Sequence, residues 1–310
     1  MKTTYLWPFG IIAIMFLGSC DKVADPIIPE IELDTTIYPG NWIDYQFPTF
    51  PVNSNTQRNV LLEDYTGHRC PNCPDANWIA KGIEDQNSDN VIVVSVHAAP
   101  GGLSSFQETA SDCGQPSNPN DKYCTEFYCD ESIEYGQFFA NGYGFFGNPM
   151  GTINRIDFTD TEMFMLSNGW AAKTNQVLTE NDLKINIQAI SNYYPSTNGV
   201  YLHSEVEVVE DLNEEEIGVA VHVVEHEAID WQDSLGTALQ FYKHHNILRG
   251  SLGDDPWGQI IAGDLASGTK INLDYSYKLP AGYANSDLFF VIYTYNVSTK
   301  EIYQVIKHEF

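Results

Sequence analysis

Residues 58–97 read RNVLLEDYTGHRCPNCPDANWIAKGIEDQNSDNVIVVSVH, and this stretch decides the fold. Its first part, 58–66, is an apolar, strand-like run. Gly67-His68-Arg69 then turns the chain into Cys70-Pro71-Asn72-Cys73. Ala76, Ile79, Ala80 and Ile83 follow at helical spacing. Val91–His97 is a short β-branched run of the kind that forms a strand buried on both faces. Strand, CxxC at a helix start, helix and strand together form the pattern of a thioredoxin-like redox unit.

The chemistry suits the spacing. A helix N-terminus presents unpaired N–H groups and the positive end of its dipole, which favour a thiolate on Cys70. Cys73, one turn later, is within reach to resolve a mixed disulfide. Asp64 stands six residues before Cys70, which resembles the place in thioredoxins of the buried acid that manages protons near the resolving cysteine. Pro149, in Gly147-Asn148-Pro149-Met150, precedes another strand-like run and matches the cis-proline that faces such a pair. Three readings of the CxxC are open: a reactive dithiol, a structural disulfide, or half of a zinc site. No second CxxC is present to complete the last, and no metal or other cofactor is expected.

Outward from this block, the N-terminus begins with Lys2 and the apolar run Gly10–Leu17, which is shorter than the ~20 residues a membrane span needs. Leu17-Gly18-Ser19-Cys20 closes it in the manner of a bacterial lipobox. Residues 1–19 are therefore expected to be a signal peptide, with Cys20 lipidated and holding the protein to a membrane. Residues 20–57, with Pro26, Pro29, Pro39, Pro48 and Pro51, are read as an extended tether with a strand at 31–38.

Residues 58–180 form the thioredoxin-like domain, interrupted after His97 by an insert that carries Cys113, Cys124 and Cys129. Three cysteines allow three single pairings, which the sequence does not choose between. Residues 133–141 and 161–180 read as helices, and Phe138, Phe139, Tyr143, Phe145 and Phe146 form an aromatic patch suited to core packing or to substrate.

From 181 the period changes to two. Seven strand-like runs start at Asp182, Gly199, Glu216, Ala238, Lys270, Ser286 and Glu301, as in an immunoglobulin-like β-sandwich spanning 181–310. The fold class is thus α/β plus all-β, and 181–310 should fold as a unit. His222-Val223-Val224-Glu225-His226 spells an inverted zinc-peptidase signature, but on a strand Glu225 points away from both histidines. His244, His245 and Arg249 are a candidate binding cluster or simply packing residues.

The chain has 15 Lys and Arg against 42 Asp and Glu, a formal charge of −27. A surface this acidic repels phosphates, so nucleic acid is excluded as a partner.

Taken together, LLEDYTGHRCPNCPDA at 61–76, VVSVHA at 93–98, Pro149 with TINR at 152–155, YKHHNILR at 242–249 and the lipobox resemble the outer-membrane protein twenty-eight-related lipoproteins of Gram-negative bacteria. In that family the last block usually reads Tyr-x-His-Asn-His, so His245 and Asn246 stand exchanged here. The resemblance implies a thioredoxin-like domain followed by an immunoglobulin-like one, in a lipoprotein of the outer membrane facing the periplasm or the outside. Two functions compete. One is a thiol–disulfide oxidoreductase with envelope protein clients. The other is a redox-inert scaffold whose CxxC is structural.

Overall fold

The structure is a computed structural model that describes residues 32–157, 162–212, 216–253, 255–263 and 265–310. The leader at 1–19 and Cys20 lie outside the described residues. The leading α/β part is β1 Val60–Thr66, α1 Cys73–Gln86, β2 Val91–His97, α2 Asp130–Phe138, β3 Met150–Ile153 and α3 Ser167–Glu180. After it come β4 Ile185–Tyr194, β5 Gly199–Val208, β6 Ile217–Ser234, β7 Thr237–Ser251, β8 Gln259–Ile261, β9 Lys270–Lys278, β10 Leu288–Asn296 and β11 Ile302–Glu309. All seven runs expected after 181 are strands; β8 is an eighth, too short to show a period.

Alternation explains where β1 sits. Val60 and Leu62 face α1 and α3, meeting Ala76, Ala80, Ile83, Trp170 and Val177. Leu61 and Tyr65 face the other way, toward Tyr135 and Phe139 at α2. Both faces are covered, so every residue of β1 and β2 is buried.

The two halves of the chain share one sheet. Its order is β11-β10-β6-β7-β2-β1-β3, with β8 beside β6. β1 and β2 are parallel, β3 is antiparallel to β1, and β7 joins β2 in parallel through Ser95 opposite Ile247. A second, antiparallel sheet has the order β4-β5-β9. It packs on the large sheet through a core built wholly from residues after 181, among them Ile187, Leu202, Val219, Leu273 and Phe290. The change of period at 181 is therefore not a change of sheet: β6, β7, β8, β10 and β11 share the large sheet with β1–β3, and only β4, β5 and β9 form the second layer.

Residues 34–45 hold two 3₁₀ turns, Thr35–Ile37 and Trp42–Asp44, where a strand at 31–38 was expected. The cause is local. The Asp34 carboxylate accepts from the Thr36 N–H at 2.9 Å and caps a turn before Pro39 can extend the chain. The segment is also strapped down. Ile37 and Tyr45 pack on Tyr201 of β5, and Tyr45 Oη lies 2.6 Å from His203 Nε2. His203 Nδ1 in turn lies 2.6 Å from Asp274 Oδ1.

Candidate functional site

The site is built where β1 ends. Gly67 has no room for a side chain, since a Cβ there would lie 2.6 Å from the Phe106 carbonyl oxygen. This close approach lets Arg69 N donate to that same oxygen at 3.0 Å and turns the chain into the motif. Cys70 and Cys73 are joined as a disulfide with Cα atoms 5.4 Å apart. Asn72 is the N-cap of α1 and Cys73 its first residue. Cys70 therefore precedes the helix by a turn, whereas the sequence placed it at the helix start.

Accessibility differs from expectation as well. A reactive dithiol needs an attacking sulfur that a client can reach, yet Cys70 and Cys73 are both only 1% exposed. The cover comes from the long β6–β7 hairpin. Gln232 Nε2 donates to the Cys70 and Gly67 carbonyls at 3.1 and 3.3 Å. Asp233 N donates to His68 O at 2.8 Å, and Leu235 N to Pro71 O at 3.0 Å.

Behind the motif, Asp64 is fully buried on β1. Asn77, one turn into α1 from Cys73, donates to its Oδ2 at 3.0 Å, and Oδ1 has no protein partner. Burial pushes this carboxyl up to about 7, against the smaller lowering effect of Asn77. Tyr242 of β7 donates to Asn77 Oδ1 at 3.5 Å, tying the hairpin to the same network. On the other side, the Asn148–Pro149 bond is cis. Pro149, Asn72, Ala76 and the exposed Phe146 line one cleft of about 490 Å³, so the proline and the motif loop border a common space. Phe139 and Phe145 of the aromatic patch lie in the core instead.

A second disulfide joins Cys113 to Cys124, leaving Cys129 free and only partly buried. Burial and Glu131 push the Cys129 thiol up to about 12, which makes it a poor nucleophile.

Buried histidines cluster beside the motif around Phe127. Ring centroids of His68, His97 and His244 lie 5.6, 5.1 and 4.3 Å from it. Burial depresses all three, to about 4 at His68 and about 3 at His244. Arg249 forms an ion pair with Glu225, and His245, whose burial lowers its basicity, lies 3.6 Å from a Glu227 carboxylate oxygen.

The H-x-x-E-H run is strand β6, as its alternation implies. His222 is buried against Tyr135 and Tyr293, His226 meets Glu309, and Glu225 points the other way to Arg249. Among the described residues, no three His, Cys, Asp or Glu side chains gather as metal ligands.

Sequence reasoning missed the hairpin contacts and the buried Glu63–Arg155 pair, whose atoms approach to 2.6 and 2.8 Å. The signal for the pair was present: two acids in a strand with no polar face.

Fold and site together define a mixed α/β protein, with large sheets and few helices, that holds a buried CxxC disulfide at a helix start. The chain belongs to the family described as outer membrane protein Omp28, whose model matches residues 137–310. That match includes Pro149 and YKHHNILR and stops short of the CxxC block. The family implies a location in the outer membrane of a Gram-negative cell.

Among solved structures, HBP35 of Porphyromonas gingivalis is similar at a TM-score of 0.60 and 16% identity, over 83% of this chain and 76% of that one. Protein AGR_C_4864 from Agrobacterium tumefaciens is similar at 0.50 and 12%, over 82% and 96%. A domain of the outer membrane lipoprotein Omp28 from Porphyromonas gingivalis aligns at 0.28 and 20% identity, over 41% and 88%. The first two likenesses concern fold alone. No functionally curated relative matches the chain.

Proposed function

We propose that this protein is a lipid-anchored envelope thiol–disulfide oxidoreductase, with a thioredoxin-like unit at 58–180 and an immunoglobulin-like unit at 181–310. The observation that carries the reading is the Cys70–Cys73 disulfide at the start of α1, backed by a buried Asp64 that titrates near 7. Such a carboxyl exchanges protons at envelope pH, where an ordinary one stays ionised.

In the reducing direction, the Cys70 thiolate attacks a client disulfide. One client sulfur bonds to Cys70 and the other leaves as a thiolate. Cys73 loses its proton to Asp64 and attacks Cys70 Sγ, which releases the second client thiolate and restores the Cys70–Cys73 bond. Two electrons pass to the client, and a donor dithiol resets the pair. The cleft beside Pro149 is where a client chain would lie.

Clients are envelope proteins carrying disulfides, and Cys20 carries the lipid anchor. Trapping in cells tests the reading. Cys73→Ser should accumulate mixed disulfides at Cys70, and Cys70→Ser should form none. A Cys73→Ser variant that captures no protein would sink the exchange reading. The redox-inert alternative draws on one observation, the near-complete burial of both cysteines.

A further inference from the structure

We propose that the β6–β7 hairpin is a lid over Cys70–Cys73, held shut by the loop that the Cys113–Cys124 disulfide staples. The inference rests on the exchange reading above and concerns how that site is controlled.

Four carbonyls of the motif loop, those of Gly67, His68, Cys70 and Pro71, accept hydrogen bonds from Gln232, Asp233 and Leu235. These are backbone groups that an approaching client would otherwise meet. The tip itself is a tight turn, with Leu235 at φ 52° and Gly236 at φ 82°. The strand pairing shifts register between Asp230 and Gln232, directly before the contacts with the motif.

The arm is weakly held to the rest of the sheet. β7 pairs with β2 through Ile247 opposite Ser95, so the strand residues between 227 and 245 pair with one another alone. A two-stranded ribbon of that kind is marginally stable by itself. Its position over the motif therefore depends on what grips it.

Besides its bonds to the motif loop and from Tyr242 to Asn77, the hairpin is gripped by the insert. Trp231 Nε1 donates to Asn120 O at 3.1 Å, and Thr125 Oγ1 bonds Asp230 Oδ2. Lys122 Nζ sits 4.9 Å from the centre of the Trp231 ring. Asn118 braces the loop from within, donating to Lys122 O and accepting from Lys122 N. All four loop residues lie between Cys113 and Cys124 or one residue beyond. The loop thus holds Asp230 and Trp231, directly before the Gln232 that covers Cys70.

The two disulfides differ in exposure. Cys113 and Cys124 are only partly buried, while Cys70 and Cys73 are sealed. A dithiol reductant therefore meets the staple first. Its thiolate attacks one sulfur of Cys113–Cys124 and displaces the other. Its second thiol then closes on the first, leaving two protein thiols and an oxidised reductant. The freed loop releases Trp231 and Asp230, the hairpin opens, and Cys70–Cys73 becomes reachable by the same chemistry.

The test uses the full chain, a dithiothreitol series, and alkylation followed by mass spectrometry of each cysteine. In the wild type, Cys113–Cys124 should be reduced first. Reduction of Cys70–Cys73 should level off with rising dithiothreitol, because opening becomes limiting. The wild type should show a lag in Cys70–Cys73 reduction that ends as Cys113–Cys124 opens, the Cys113→Ser/Cys124→Ser double variant should show no lag, and Gln232→Ala should speed reduction of Cys70–Cys73 about tenfold, the factor set by about 1.4 kcal/mol. Circular dichroism confirms that the sheets persist. Reduction of Cys70–Cys73 first, or at one rate in all three proteins, would overturn the lid. Dithiothreitol reads the lid whether or not any client exists. Failure of Cys73→Ser to trap clients therefore removes the exchange reading alone.

Discussion

Asp64 and Glu63 are neighbours on one buried strand with opposite fates. Glu63 meets Arg155, which holds its carboxyl below the ordinary range despite burial. Asp64 has one amide partner and is pushed up to about 7. Between about pH 4 and 7 the folded protein therefore binds a proton at Asp64 that the unfolded chain releases, so this group's contribution to stability falls as pH rises. Asp64→Asn should remove that slope and stabilise the protein at pH 8 by up to about 4 kcal/mol, read from urea melts across pH. The buried His97, His222 and His244 run the other way, since each is held neutral and resists folding only as pH drops below ~6.5. The comparison of variant with wild type cancels them. Arg155 sits at a second such point. Its guanidinium carbon lies 5.2–5.6 Å from the ring centres of Tyr135, Phe139, Trp257 and Tyr293. Arg155→Leu strands the Glu63 charge and should cost about 3–5 kcal/mol in a denaturant melt; a loss under 1 kcal/mol would mean that water solvates Glu63.

At the scale of elements, what the sequence announces depends on where each element's partner lies. β1, α1 and β2 are local: their periods and the Cys70–Cys73 spacing were readable because neighbours in sequence are neighbours in space, whereas distant Pro149 was read only from its likeness to a known cis-proline. The outer half of the β6–β7 hairpin was not. Residues 229–234, IDWQDS, carry no clean alternation, because their partners are the motif backbone and the insert loop, more than 100 residues away in sequence. The strap at 34–45 was misread for a local reason, the Asp34 carboxylate capping a turn where an extended run was expected. That strap makes its own prediction. Tyr45→Phe leaves His203 Nε2 without its 2.6 Å partner in a buried site. The cost should be about 1–3 kcal/mol, with earlier proteolysis in residues 32–57. Limited digestion at the wild-type rate would show that the aromatic cluster alone holds the segment.

For the whole molecule, the question is how far the two halves depend on each other, and the cores answer it. The core between the two sheets draws all its residues from after 181. The core on the other face of the large sheet is shared: Val224, Leu248, Phe289, Val291 and Tyr293 pack there with Leu61, Val94, Tyr135 and Phe139. Arg58 adds a bond across the divide, donating to Ile302 O at 2.6 Å. A fragment of 181–310 thus keeps one complete core and bares the apolar face of a second. It should unfold cooperatively, at a lower denaturant midpoint than the full chain, and should self-associate through the bared face. The partner fragment, 58–180, loses the strand that edges β2 together with half of its core, and should not fold alone. Urea melts with analytical ultracentrifugation separate the cases. A monomeric 181–310 as stable as the full chain would mean that the shared core contributes little. A fragment with no cooperative transition would mean instead that the inter-sheet core cannot stand without β1 and β2.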